Sequence, residues 1–166
     1  LMDEIFFPFL QKEFAAAAGE DGSIPMSSDS DPLKILTTQA QIAGWNADGL
    51  PADVVSLENG SIVENSSRWP LLIDPQLQGI AWIRNKEGGA DRNLQIVRLG
   101  QKDLIRKLEN ALDRGTTLLI ENLGETLEAV LNPVIQRATI KRGSKQFIKV
   151  GDKECDFHPN FKLYLH

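Results

Sequence analysis

The run Asp74-Pro75-Gln76-Leu77-Gln78-Gly79-Ile80-Ala81 follows five mostly apolar residues, 69–73, and precedes an amphipathic stretch. A strand, a tight turn and a helix form the setting in which backbone amides cradle phosphate, so this turn is tested first against the pattern G-x-x-x-x-G-K-[ST]. Gly79 matches the second glycine, but Asp74 stands at the first, Ile80 at the lysine and Ala81 at the magnesium-binding hydroxyl. Such a turn has lost the ammonium that neutralises phosphate and has gained a carboxylate that repels it, so phosphate binding is expected to be weak or absent. The apolar run 117–120 leads into Glu121-Asn122, where a working magnesium and water-activating strand would end in two acids. Glu121 could ligate a metal, whereas the Asn122 amide does not titrate near neutral pH and cannot act as a base. The bland alternative is that Glu121 and Asn122 cap the next helix. Residues 74, 79, 80 and 81 therefore read as a degenerate Walker A position and 121 and 122 as a degenerate Walker B position, with no catalytic residue, no metal ligand set and no cofactor expected.

Other candidates carry less. Asp74 and Glu121 would share the carboxyl edge of a parallel sheet, which admits a two-carboxylate metal hydrolase as a formal alternative, but no third ligand is visible. Cys155 and His158 sit on an expected hairpin strand rather than at a helix N-terminus that would activate a thiol, so packing is the expected role. Arg137, Lys141, Arg142, Lys145, Lys149 and Lys153 make the same hairpin basic with only Phe147 interleaved. That reads as a solvated edge protected by lysines, not a nucleic-acid platform. Trp45, Trp69 and Trp82 read as core or interface aromatics.

Whole-chain numbers agree with this modest chemistry. With 166 residues, 42% hydrophobic and 25% charged, the chain can build a real core, and no apolar run reaches the length of a membrane span. A net charge of −5 disfavours nucleic acid or anionic lipid as a partner of the whole domain, and the single Cys155 suits a reducing compartment. No secretory leader is visible after Leu1-Met2, and the chain stops at His166 directly after a strand-like run, which suggests an excised fragment.

The elements that must position these residues follow from periodicity. Residues 3–18 read as a helix with a buried face, and 19–31, rich in Gly, Ser, Asp and Pro, as a flexible loop. Asp31-Pro32 gives an N-cap and a first-turn proline for a helix running to Trp45. Four strands are expected at 69–73, 94–99, 117–120 and 161–165, the first and third apolar enough to be central. Helices are expected at 76–85, with Leu77, Ile80 and Ala81 on one face, at 103–114, ending at Gly115, and at 125–136, bent by Pro133. Residues 139–157 read as a β-hairpin or small meander.

The run Trp45-Asn46-Ala47-Asp48-Gly49-Leu50-Pro51, then Ser56-Leu57-Glu58-Asn59, then Arg68-Trp69-Pro70-Leu71-Leu72-Ile73-Asp74-Pro75-Gln76 resembles the post-stalk region of dynein heavy chains. Leu118-Leu119-Ile120-Glu121-Asn122, Ile148-Lys149-Val150-Gly151-Asp152 and Pro159-Asn160-Phe161-Lys162 continue the likeness in order. The resemblance implies the fifth of six AAA+ modules of the motor ring, of the axonemal, outer-arm-like branch. The implied fold is an α/β, P-loop-type three-layer sandwich, a mainly parallel sheet with helices on both faces plus an inserted β-hairpin at about 139–157, lacking its lid and last strand. Residues 1–55 would be a helical lead-in and 56–166 the core of the large subdomain. Right-handed crossovers together with the AAA+ pattern imply strand order 1-4-3-2. The implied function is a non-catalytic structural relay within an ATP-driven microtubule motor of cilia or flagella, in a cytoplasmic, cytoskeletal setting. Its partners would be neighbouring AAA+ modules, with microtubules and other dynein chains bound by the parent, and neither nucleic acid nor membrane. The competing reading is a functional nucleotide-binding AAA+ domain with an unorthodox phosphate loop.

Overall fold

A computed structural model describes residues 31–89, 93–124 and 127–166. The expected helix at 3–18 and the loop at 19–31, apart from Asp31, lie outside the described residues. The described residues fall into two compact units, one ending at Asn65 and the other spanning Ser66–His166.

The first unit contains α1 (Pro32–Leu36), α2 (Gln39–Ala47) and α3 (Val54–Asn65). Asp31 caps α1 by accepting a hydrogen bond from the Leu33 N–H at 3.0 Å, with proline in the first turn. The single helix expected up to Trp45 is instead broken at Thr37-Thr38. Thr38 starts α2 with a reciprocal capping box, its N–H donating to Gln41 Oε1 at 2.8 Å and its Oγ1 accepting from the Gln41 N–H at 3.3 Å. Two adjacent β-branched hydroxyls offer the backbone this alternative to continued helix. Helix α3 was not anticipated; it runs through residues 55 and 56 and closes the first unit at Asn65. Its start is fixed by Asp53, whose carboxylate accepts from both Ser56 Oγ (2.7 Å) and the Ser56 N–H (3.0 Å). Those Ser56 bonds hold the Asp53 carboxyl below its ordinary range. Asn65 Nδ2 donates to the Leu36 carbonyl at 3.3 Å, tying the end of α3 to the end of α1.

The second unit is built on a parallel sheet. Its strands are β1 (Gln95–Arg98), β2 (Thr117–Glu121) and β6 (Lys162–Leu165), in the order β1-β2-β6. Gln95 lies opposite Leu118 and Thr117 opposite Lys162. On the far side of β6 an isolated parallel bridge joins Leu71 to Leu165, which completes the expected order 1-4-3-2. The run 69–73 is, however, no central strand. It makes two bonds to β6, Leu72 N–H to the Leu165 carbonyl (2.8 Å) and Leu165 N–H to the Pro70 carbonyl (3.1 Å), and Pro70 has no N–H to extend them. Leu71 is 60% and Ile73 87% exposed, as befits an edge.

Strand alternation places the helices. Leu118 and Ile120 of β2 share a core with Leu104, Leu108, Ala111 and Leu112 of α5 (Leu104–Arg114), so α5 covers one face. Thr117, Leu119 and Glu121 point to the other face, where Thr117 and Glu121 bond to side chains of α4 (Gln78–Glu87). The sheet is thus a middle layer between two helices, and every β2 residue is buried. Helix α5 ends as expected at Gly115, whose φ of +69° is the left-handed stop that glycine supplies without a Cβ penalty. Helix α4 runs two residues later than expected. Leu77 precedes it at φ +59° and is exposed, as is Ala81, while Ile80, Trp82 and Ile83 are buried.

The helix expected at 125–136 is, among the described residues, a 3-10 turn at Ala129–Leu131 and a single turn, α6 (Asn132–Ile135). Pro133 opens α6 rather than bending a longer helix, because proline fits a first turn and breaks an interior. Strands β3 (Thr139–Arg142), β4 (Lys145–Val150) and β5 (Lys153–Asp156) form an antiparallel meander whose Ile148, Val150 and Cys155 join the α5-side core.

The edge has a measurable consequence. Leu71, Ile73 and Leu77 are exposed apolar residues beside a strand segment that no described strand pairs on its outer side. Light scattering is expected to show concentration-dependent self-association of this chain, suppressed by Ile73→Lys. A monodisperse monomer at high concentration contradicts this.

Candidate functional site

Asp74 and the start of α4 form one unit. The Asp74 carboxylate accepts from the Gln78 N–H through Oδ1 at 3.1 Å and from the Ile80 N–H through Oδ2 at 2.9 Å. Free first-turn amides and the helix dipole are what draw a phosphate to such a turn. Here the chain's own anion holds two of those amides. Gly79 permits the approach, since a Cβ there would lie 3.3 Å from Asp74 Oδ2 and 3.3 Å from Leu72 Cδ2. At the next two positions the Ile80 side chain is buried and Ala81 presents only an exposed methyl.

Glu121 ends β2 at the carboxyl edge of the sheet and is buried, yet it does not cap a helix as the bland reading had it. Its Oε1 accepts a hydrogen bond from Arg84 Nη2 of α4, and Arg98 Nε of β1 lies 3.7 Å from Oε2. Two guanidinium groups thus stand where a cation would neutralise this acid. Asn122 is exposed at φ +61°, a left-handed conformation that asparagine tolerates better than most residues, and it turns the chain after β2. The structure therefore joins Asp74, Gly79 and Ile80 in one hydrogen-bonded turn and ties Glu121 to the same helix through Arg84. Asp74 and Glu121 each have their own partners, and among the described residues no three His, Cys, Asp or Glu side chains converge on a metal position.

Sequence reading missed a second polar cluster. Glu87, buried at the other end of α4, accepts from Tyr164 Oη (3.0 Å) and Lys162 Nζ (3.1 Å) through Oε1 and from Thr117 Oγ1 (3.2 Å) through Oε2, with Lys86 Nζ at 3.7 Å. Burial works to raise its pKa, but the Lys162 bond and charge, the Tyr164 hydroxyl and the Lys86 charge outweigh it and hold the carboxyl below its ordinary range. The available signal was phase: Arg84 and Glu87 fall four and seven residues after buried Ile80, in register with the buried stripe of the helix.

The remaining candidates have structural surroundings. Cys155 is buried on β5, where burial and the nearby Glu109 and Asp113 charges push the thiol pKa up, the opposite of nucleophile activation. His158 Nδ1 accepts from the Asn160 N–H at 3.1 Å. On the basic meander, Arg142 grips Glu154 through both terminal nitrogens (2.9 and 3.0 Å), Lys145 pairs with Asp156 (3.0 Å) and Lys153 with Glu109 (2.7 Å). Trp45 and Trp82 are buried, and half-buried Trp69 donates to the Val134 carbonyl at 2.7 Å beneath the Arg137 guanidinium.

Comparison with known proteins agrees with this architecture. A family model described as the ATP-binding dynein motor region matches residues 43–166. The chain is 48% identical over 144 residues, 86% of its length, to the dynein alpha chain of the flagellar outer arm of Chlamydomonas reinhardtii. It is 48% identical over all 166 residues to dynein axonemal heavy chain 17 of Mus musculus, and 45% identical over 165 residues, 99% of its length, to the ciliary dynein beta chain of Heliocidaris crassispina. It spans about 3% of the length of each of these relatives. A parallel sheet between two helices, carrying this turn and this acid-ended strand in a sequence nearly half identical to axonemal heavy chains, belongs to the dynein motor region family.

Proposed function

We propose that this chain is a non-catalytic relay module, the fifth AAA+ module of an axonemal dynein heavy chain, which takes no nucleotide or other cofactor and works by transmitting movement between neighbouring modules of the ring. The parent is proposed to be an ATP-driven microtubule motor of cilia or flagella, associated with other dynein chains and hydrolysing ATP elsewhere in its length. The observation that carries this reading is the Asp74 carboxylate seated on the Gln78 and Ile80 amides. A triphosphate would have to expel that anion, and would then meet the buried Ile80 side chain instead of an ammonium.

Each lost charge-assisted contact costs about 1.5–3 kcal/mol, roughly ten- to a hundredfold in affinity. Several such losses move binding well out of the micromolar range. Calorimetric titration of the chain with Mg-ATP is therefore expected to give no saturable heat. Micromolar binding that disappears on substitution of Asp74 or Gly79 would overturn the relay reading in favour of an unorthodox nucleotide site.

A further inference from the structure

The amino-terminal edge of the parallel sheet, at the opposite end of the strands from Asp74 and Glu121, carries a polar cleft of about 500 Å³. Its walls come from the last residues of α4 (Lys86, Glu87), the end of α5 (Arg114) and the beginnings of β2 and β6 (Thr117, Lys162), with Asn160 at the rim. Among the described residues, three cations and one acid line it, a local excess of positive charge in a chain whose net charge is −5. Glu87, the acid among them, is already occupied by Lys162, Tyr164 and Thr117. Arg114, by contrast, is exposed and makes no ion pair among the described residues. Lys162, with its side chain 52% exposed, donates one of its three protons to Glu87.

We propose that this cleft is a docking site for an acidic polypeptide segment, which places an Asp or Glu carboxylate between Arg114 and Lys162. A guanidinium fork and an ammonium on the walls of one cleft suit one planar carboxylate, with Arg114 bidentate and Lys162 as a point charge. Both α4 and α5 deliver their C-terminal ends here, and their carbonyls, which carry partial negative charge, oppose any anion; they oppose a multiply charged polyphosphate more than a singly charged carboxylate, whose charge Arg114 and Lys162 together outweigh. The volume lies within the range of clefts that engulf a bound group, so a side chain enters with its neighbouring backbone. Glu87, held by Lys162, Tyr164 and Thr117, shows the hydrogen-bonding geometry a carboxylate takes up in these surroundings.

The test is fluorescence anisotropy on the 166-residue chain, with a labelled peptide of alternating Glu and Gly as probe, its Lys-Gly counterpart as control, and pyrophosphate as competitor. Saturable binding of the acidic probe is expected, weakening with salt and falling more than about tenfold in Arg114→Glu and in Lys162→Gln. Lys141→Glu, on the distant meander, should leave it unchanged. Arg114 is exposed, so its variant should keep the wild-type circular dichroism, and Arg114→Gln, which places no acid at the end of α5, should keep the melting point as well and weaken binding in the same direction, while Lys162→Gln gives a second variant. Absence of saturable binding, equal loss in Lys141→Glu, or displacement by pyrophosphate at lower concentration than by unlabelled peptide would each overturn the proposal. None of these outcomes bears on nucleotide binding at the opposite edge.

Discussion

Glu87→Ala is expected to lower the stability of the Ser66–His166 unit by about 3–5 kcal/mol, the cost of removing one partner from a buried ion cluster. The residue is 4% exposed and its carboxylate is the common acceptor for Tyr164 of β6, Thr117 of β2 and the Lys162 ammonium. Truncation leaves two buried hydroxyls without that acceptor and sets two ammonium groups side by side. In a unit of this size each kcal/mol moves the melting temperature by roughly 4–8 °C, so the shift should be large in any thermal scan. Glu87→Gln keeps the shape and one acceptor oxygen and should cost less.

The pH profile separates charge from packing. The Glu87 carboxyl titrates below its ordinary range when folded, so its ionised form stabilises the native state fully above the ordinary glutamate pKa. That stabilisation is lost as pH falls through the depressed native value. Urea titrations from pH 7 downward should therefore show wild type and Glu87→Gln furthest apart near neutrality and converging below about pH 4.5. A constant difference across that window would mean that the charge of Glu87 contributes nothing.

What could be read from sequence was what short-range physics decides. The run 118–120 is apolar throughout because β2 is covered on both faces, and the stripe from Leu104 to Leu112 is regular because α5 buries one side. Helix α3 was hidden because Ser56, Asn59, Gly60 and Ser61 are weak helix formers, and only its cap at Asp53 marks it. The apolar run 69–73 looks like a central strand, but apolarity does not distinguish a strand covered by helices from one at an open edge. The same limit applies to the candidate site. Residue types at 74, 80 and 81 showed what phosphate chemistry lacked, but not that Asp74 would take the vacated amides. Arg84 and Glu121 lie 37 residues apart and Glu87 and Tyr164 77 apart, and side-chain pairing across such separations leaves no periodic trace.

The two clusters together pin the C-terminal part of α4 to the sheet, Arg84 reaching Glu121 at the carboxyl edge and Glu87 reaching Thr117 and Lys162 at the amino edge. The proposed relay role needs such an attachment, because a helix free to slide on its sheet would absorb a displacement instead of transmitting it. The carboxyl-edge pair should respond asymmetrically to substitution. The Glu121 side chain is 8% exposed and that of Arg84 49%, so each partner is left in a different medium when the other is removed. Arg84→Met strands a buried carboxylate with only the more distant, largely exposed Arg98 and is expected to cost about 2–3 kcal/mol. Glu121→Gln leaves a guanidinium that can turn to water and should cost under about 1 kcal/mol. The double variant Arg84→Met with Glu121→Gln leaves no buried charge at this position and should recover at least half of the Arg84→Met loss, giving a positive coupling in a double-mutant cycle. Denaturant titration of the four proteins decides the matter. If the double variant is as unstable as Arg84→Met alone, the Arg84 stem rather than its charge secures α4, and the ionic attachment is not what makes the helix and sheet move as one body.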